Sequence, residues 1–212
     1  MSDGIEEYRG SRIVVRFDGE KCIHSRHCVL GRPDVFAPNV KGAWINPDNA
    51  SPEAIAGVAL NCPSGAITFE RLDGGPNETP PMVNMAWIRE NGPLAFHADL
   101  AIDGEHCLRA TLCRCGASKR KPFCDNSHTA IGFRATGEPA TQASAPLSPR
   151  DGPLQVSPRP NGPYLVKGPL EVCSGTGRTV ARATEAYLCR CGASANKPFC
   201  DGSHKRIGFT AA

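Results

Sequence analysis

The sequence predicts an α+β protein: a small β-α-β unit at the N-terminus, followed by two related short-stranded halves that pack on each other as one body. Three observations predict it. A pattern of three cysteines and one histidine, C-x-C-x8-C-x3-H, occurs at Cys113, Cys115, Cys124 and His128 and again, 76 residues later, at Cys189, Cys191, Cys200 and His204; repetition at a fixed interval marks paired structural units. Upstream, a well-capped helix pattern lies between two apolar strand-like runs. Two stretches rich in Gly and Pro, Arg71–Pro81 and Thr136–Pro160, separate these parts. The expected ranges are 1–72 for the first unit, 82–135 for the first repeat, 136–160 for a linker and 161–212 for the second repeat.

Composition agrees with small, loop-rich units. Only 40% of the 212 residues are hydrophobic and 6% aromatic, against 22 glycines and 19 prolines, so bound metal has to supplement a thin core. The net charge of +3 comes from Lys and Arg spread along the chain, which gives no footprint for nucleic acid. The first ten residues hold Asp3, Glu6 and Glu7 and no apolar export segment. No run of about 18 apolar residues occurs, so no membrane span is expected. Eleven cysteines are then read in a reducing cytoplasm, where clustered thiols serve metals rather than disulfides.

In chain order, Arg12–Phe17 reads as a strand with Ile13, Val14 and Val15 apolar, followed by a cysteine-bearing loop and a turn at Arg32-Pro33 before Val35-Phe36. Ser51 caps a helix, with Pro52 at its first position, Glu53 in its first turn and an expected apolar face of Ile55, Val58 and Leu60. The helix stops at Cys62-Pro63, and Ala66–Glu70 forms a second strand. Cys22, Cys28 and Cys62 are the metal candidates here. Their spacing, C-x5-C followed much later by Cys-Pro, resembles a divergent single-cluster ferredoxin domain, which implies a ferredoxin-like fold and one cluster. Bacterial ferredoxins carry C-x2-C-x2-C in the first loop, whereas Ser25 stands at the middle position here. Three thiolates match a [3Fe-4S] cluster; the alternative is [4Fe-4S], with Ser25, His24, His27 or water on the fourth iron.

The two later halves align outside the cysteines as well. Asn91-Gly-Pro-Leu94 leads to Leu100-Ala-Ile102, and Asn161-Gly-Pro-Tyr164 leads to Leu170-Glu-Val172, at an offset of 70 rather than 76 residues. The second half therefore carries a six-residue insertion, placed at the turn Ser174–Gly177. Neither half can bury its own sheet face. Cys107 and Cys173 fall on strand-like segments and read as small buried apolar residues.

Three Cys and one His could hold one tetrahedral zinc, or the C-x-C pair could chelate one iron of a diiron cluster while Cys and His of the C-x3-H pair hold the other. Cys189 to His204 also match C-x-C-x2-S-x3-P-x-C-D-G-S-H at every position, and this resembles the CDGSH iron–sulfur domain family. The first copy departs once, with Asn126 in place of glycine, the substitution that a left-handed turn tolerates best. The resemblance implies a [2Fe-2S] cluster in each copy on Cys113, Cys115, Cys124 and His128 and on Cys189, Cys191, Cys200 and His204. It also implies a β-cap with shared strands, here as a pseudo-dimer inside one monomeric chain. Pro122 and Pro198 would fix the backbone before the third cysteine, Phe123 and Phe199 would shield the site, and Asp125 and Asp201 would occupy helix N-caps.

No nucleotide-binding glycine loop, flavin motif, nucleophile elbow or triad pattern is present, so an electron carrier is expected rather than an enzyme. Its partners would be a reductase and an acceptor protein. The alternative is a store or donor of clusters to apo iron–sulfur acceptors, or a redox and pH sensor; structural zinc is the third reading.

Overall fold

The computed structural model describes residues 4–211. The chain forms two compact units, the first ending at Thr79 and the second beginning at Pro80; Asp3 and Ala212 lie outside the described residues.

The first unit contains β1 (Ile5–Arg9), β2 (Ile13–Asp18), α1 (His27–Gly31), α2 (Pro52–Leu60) and β3 (Ile67–Arg71). The strands form one sheet in the order β1-β2-β3 with both pairings antiparallel. This corrects the β-α-β expectation. The strand, helix and strand occur in that chain order, but the two strands are antiparallel neighbours and an extra strand precedes them. The consequence is positional: Phe17 stands opposite Ile67, so the loop leaving β2 and the chain entering β3 lie at the same end of the sheet, and Cys22 and Cys62 with them. A parallel crossover would have put them at opposite ends. β1 escaped notice because its sequence, IEEYR, is charged and mostly exposed, as edge strands tend to be. Arg16 ties the sheet together by bonding Glu7 on one side and Glu70 on the other.

α2 starts as expected, with the Ser51 hydroxyl accepting the Ala54 amide at 3.3 Å and Pro52 in the first turn. Its buried face is Ile55, Ala56 and Ala59, packed over Ile13, Val15, Ile67 and Phe69 of the sheet. Leu60 is exposed, because five residues from Ile55 is well off that face at 3.6 residues per turn.

The second unit contains β4 (Met85–Ile88), β5 (Leu94–Ile102), β6 (Glu105–Leu112), α3 (Ser127–Ala130), β7 (Pro153–Pro158), β8 (Tyr164–Cys173), β9 (Thr179–Leu188) and α4 (Ser203–Arg206). β5–β6 and β8–β9 are the equivalent hairpins of the two halves. Each short strand pairs twice: β4 runs antiparallel to β5 and parallel to β8, while β7 runs antiparallel to β8 and parallel to β5. β5 and β8 can serve two partners because each shifts register midway, at His97/Leu100 and Lys167/Leu170. The strands are thus exchanged between halves, and one core receives Ile88, Phe96 and Leu112 from the first half and Val156, Val166 and Leu188 from the second.

The expected linker over 136–160 is corrected by β7, which lies inside it. Its prolines sit at the two ends of the strand, where a missing N–H disturbs the ladder least. Gly168, at the bulge of β8, has φ +120, and a Cβ there would lie 2.4 Å from Pro153 O, so only glycine fits. The extra residues of the second half lengthen its hairpin around Ser174–Gly177, where the first half turns on Asp103-Gly104. The buried Asn84 joins three segments: its Nδ2 donates to Gly152 O and Pro169 O, and its Oδ1 accepts the Asp99 amide.

Candidate metal centres

Each repeat positions its four donors by the same local geometry. The loop after β6 folds back on the strand, with the Cys113 amide donating to Pro122 O at 2.9 Å and the Cys124 amide to Thr111 O at 2.9 Å. This brings the third cysteine back beside the first. In the second repeat, Cys189 donates to Pro198 O at 2.7 Å and Cys200 to Tyr187 O at 2.8 Å. The Lys121-Pro122 and Lys197-Pro198 bonds are both cis. The donors then fall into pairs: Cys113 and Cys115 sulfurs 3.7 Å apart, Cys124 Sγ 3.5 Å from His128 Nδ1, Cys189 and Cys191 3.8 Å apart, and Cys200 Sγ 3.4 Å from His204 Nδ1. Among the described residues no three His, Cys, Asp or Glu side chains converge on one ion position. The four donors of each repeat thus form one Cys–Cys pair and one Cys–His pair.

The environment favours anionic sulfur where a cation is present. Backbone amides of Ala117 and Asn126 point at Cys115 and Cys124 sulfurs, as those of Ala193 and Gly202 do at Cys191 and Cys200, at 3.4–3.5 Å. The hydrogen bond from Cys115 pulls the Cys113 pKa down to about 6 and pushes Cys115 up. Burial raises Cys124 to about 11 and also raises Cys189. A buried thiolate needs a compensating positive charge, which iron would supply.

Asp125 and Asp201 do not hold the cap positions expected of them. The caps are Asn126 and Gly202, in left-handed conformation at φ 68 and 84, because a sharp reversal separates the third cysteine from the helix. The carboxylates instead staple the loop: Asp125 accepts the Ser127 amide at 3.0 Å and the Lys119 amide at 2.8 Å, and Asp201 accepts Ser203 and Ala195 at the same distances. Phe123 and Phe199 pack against the shared core.

The two loops meet across the pseudo-two-fold. A Cβ on Gly116 would lie 2.6 Å from Cys191 O, and one on Gly192 would lie 2.5 Å from Cys115 O. The residue inside each C-x-C is a fully buried arginine. Arg114 donates to the carbonyls of Gly92, Thr136, Arg89 and Ala135. Burial lowers its pKa to about 10, opposed by the negative charge of Cys189 from the other repeat. Arg190 lies over the rings of Tyr164 and Phe209, 5.7 Å from each centroid. Tyr164 of β8 in turn donates its hydroxyl to Cys113 O and Pro122 O at 2.9 Å.

In the first unit, Cys22, Cys28 and Cys62 line one cavity of about 260 Å³, together with His24, Ser25 and Ser64. Burial raises the Cys28 pKa, and the charges of Cys62 and Cys22 add to the effect. Ser64 is 3.7 Å from Cys62 Sγ. His27 is directed elsewhere, its Nδ1 donating to Asn61 O at 3.0 Å.

The family model described as iron-binding zinc finger CDGSH type matches residues 87–129 and 161–205, and a divergent 4Fe-4S mono-cluster model matches 8–71. CDGSH iron-sulfur domain-containing protein 1 of Mus musculus is 33% identical over 76 residues, covering 35% of this chain and 67% of that protein. The chain belongs to the CDGSH iron–sulfur domain family. It is an iron–sulfur protein of the CDGSH type with a divergent iron–sulfur domain ahead of the repeats. The first unit is similar to an uncharacterized protein, YjdI, of Escherichia coli K12, 36% identical over 70 residues, 32% of this chain and 90% of that protein.

All eight CDGSH donors thus stand in their expected pairs, and the three N-terminal cysteines share one cavity. Arg114, Arg190 and Tyr164 were not singled out from the sequence, although an arginine inside both C-x-C pairs was visible there. Cys107 on β6 is half-buried against the shared core and Cys173 at the end of β8 is buried. Among the described residues no helix is long and apolar enough to cross a membrane.

Proposed function

We propose that this CDGSH protein is an electron carrier of a reducing cytoplasm, holding a [2Fe-2S] cluster in each repeat and a third cluster on Cys22, Cys28 and Cys62. The observation that carries the reading is the backbone contact between the two CDGSH loops, Gly116 on Cys191 and Gly192 on Cys115. Clusters at these sites would supply one-electron chemistry. The residues around them do the rest: thiolates and histidines hold iron, loop amides donate to sulfur, and buried arginines place positive charge where an added electron would otherwise be costly. The strand exchange supplies within one chain what a dimer would supply with two, and supports a monomeric carrier. For the third site, the three thiolates alone suit [3Fe-4S], while the match to a four-iron mono-cluster family favours [4Fe-4S]; we take the four-iron form. Reductase and acceptor proteins are the proposed partners, with no catalytic role.

A second reading, donation of clusters to apo acceptors, is favoured by His128 and His204, which are only half-buried on four-residue helices. Anaerobic mixing with an apo-ferredoxin and with an oxidised holo-ferredoxin separates the two. A carrier first reduced with dithionite and desalted passes its electrons to the holo acceptor within the mixing time and leaves the apo acceptor colourless. Transfer of intact cluster to the apo acceptor without electron exchange would overturn the carrier reading.

A further inference from the structure

We propose that His24 is the fourth ligand of the N-terminal centre, holding the outermost iron of a four-iron cluster through Nδ1. This rests on the cluster proposed for Cys22, Cys28 and Cys62. Three thiolates serve three corners of a cubane, and the fourth requires a donor on the same cavity wall.

The loop offers three candidates. His27 is not among the residues that line the cavity, and its Nδ1 donates to Asn61 O at 3.0 Å. Ser25 lines the cavity, but its hydroxyl would have to ionise beside three thiolates, which oppose further negative charge. His24 needs no ionisation, because a neutral imidazole already presents a lone pair. It lines the same cavity, its Nδ1 stands 3.9 Å from Cys22 Sγ, and its own amide donates to that sulfur at 3.4 Å. The backbone points the same way. His24 has φ 51 and Arg26 φ 64, left-handed conformations costing about 1–2 kcal/mol per non-glycine residue, and such strain gathers at ligand-holding positions. Two of them within one short loop let Cys22, His24, Ser25 and Cys28 all face one cavity. His24 is exposed, so its iron would occupy the solvent-side corner.

The test uses the full chain purified anaerobically, with Mössbauer and EPR spectra before and after air exposure. In wild type a mixed-valence four-iron doublet should survive air and the oxidised protein should stay EPR-silent. In His24→Ala the corner iron has no side-chain ligand: [4Fe-4S]2+ becomes [3Fe-4S]+ and Fe2+, with one electron passing to O2, and a near-isotropic EPR signal appears. Ser25→Ala should behave as wild type, and His24→Cys should restore resistance to air. Should His24→Ala bind no N-terminal iron, recovery of the doublet in His24→Cys supports the assignment and its absence overturns it. The proposal is also overturned if His24→Ala resists air as wild type does, if Ser25→Ala alone converts the site, or if anaerobic wild type already shows the three-iron signal. A wild-type chain with neither the doublet nor that signal removes the N-terminal cluster itself, a different failure from the wrong fourth ligand.

Discussion

At the scale of single residues, the chemistry turns on which donors carry charge. A ligating imidazole is neutral and a thiolate is not, so the Cys3His set leaves one fewer negative charge on each CDGSH centre than four cysteines would. Burial holds the His128 pKa below the ordinary 6.5, with Arg114 adding to the effect and Asp125 opposing it. The folded pKa is therefore the lower one. The stability that the neutral ring contributes is present above the unfolded value and is lost as pH falls through the folded value. Replacing His128 and His204 together by Cys should lower both reduction potentials and move acid-driven bleaching to lower pH. The check is a visible-absorbance titration from neutral to acid pH; an unchanged bleaching curve would show that the histidines do not set acid sensitivity. Arg114 and Arg190, both buried inside the C-x-C pairs, act in the opposite sense by placing positive charge beside the thiolates.

At the scale of elements, the two cluster loops depend on each other. Gly116 and Gly192 combine left-handed φ values of 83 and 82 with carbonyls that a side chain would strike. Gly116→Ala should cost at least about 1–2 kcal/mol from backbone conformation alone, and more as the loops separate, since the struck atoms are backbone. Reduced wild type should show magnetic interaction between the two CDGSH clusters by EPR, weakened in Gly116→Ala, whose melting temperature should also fall. An alanine variant as stable as wild type would mean that the loops do not bear on each other. The loops were legible in the sequence because their donors are local: C-x-C and C-x3-H pairs form within one turn, whatever the rest of the chain does. The shape of the N-terminal sheet was not, because antiparallel and parallel return of β3 require the same apolar residues. β1 and β7 were hidden for a related reason. The glutamates of β1 deny it the alternation of a half-buried strand, and the Leu154–Val156 alternation of β7 is short and set between prolines, so only partners from distant segments make strands of them.

At the scale of the molecule, strand exchange makes each CDGSH half incomplete. Cut between residues 137 and 150, the first half would keep β4 on β5 but lose β7 from the far end of β5, and the second would keep β7 on β8 but lose β4. Each half could pair with a second copy of itself, because the exchange is nearly symmetric. Two residues bond across the halves. Tyr164 of the second half donates to Cys113 O and Pro122 O of the first, and the place equivalent to Tyr164 in the first half is Leu94, which has no hydroxyl. Asn84 of the first half bonds Gly152 and Pro169 of the second, and its counterpart there is Leu154. A homodimer of the first half would make the asparagine contacts twice and one of the second the tyrosine contacts twice, so these bonds join two halves without choosing which two. Each buried hydrogen bond lost leaves carbonyls unpaired at about 1–3 kcal/mol. Separately tagged halves, co-expressed and loaded with iron and sulfide, should therefore elute as pairs, mixed or like with like, and neither alone should elute as a folded monomer. Tyr164→Phe should lower the melting temperature of the intact chain without bleaching the sites. A monomeric half that is coloured and melts cooperatively by itself would contradict the shared core.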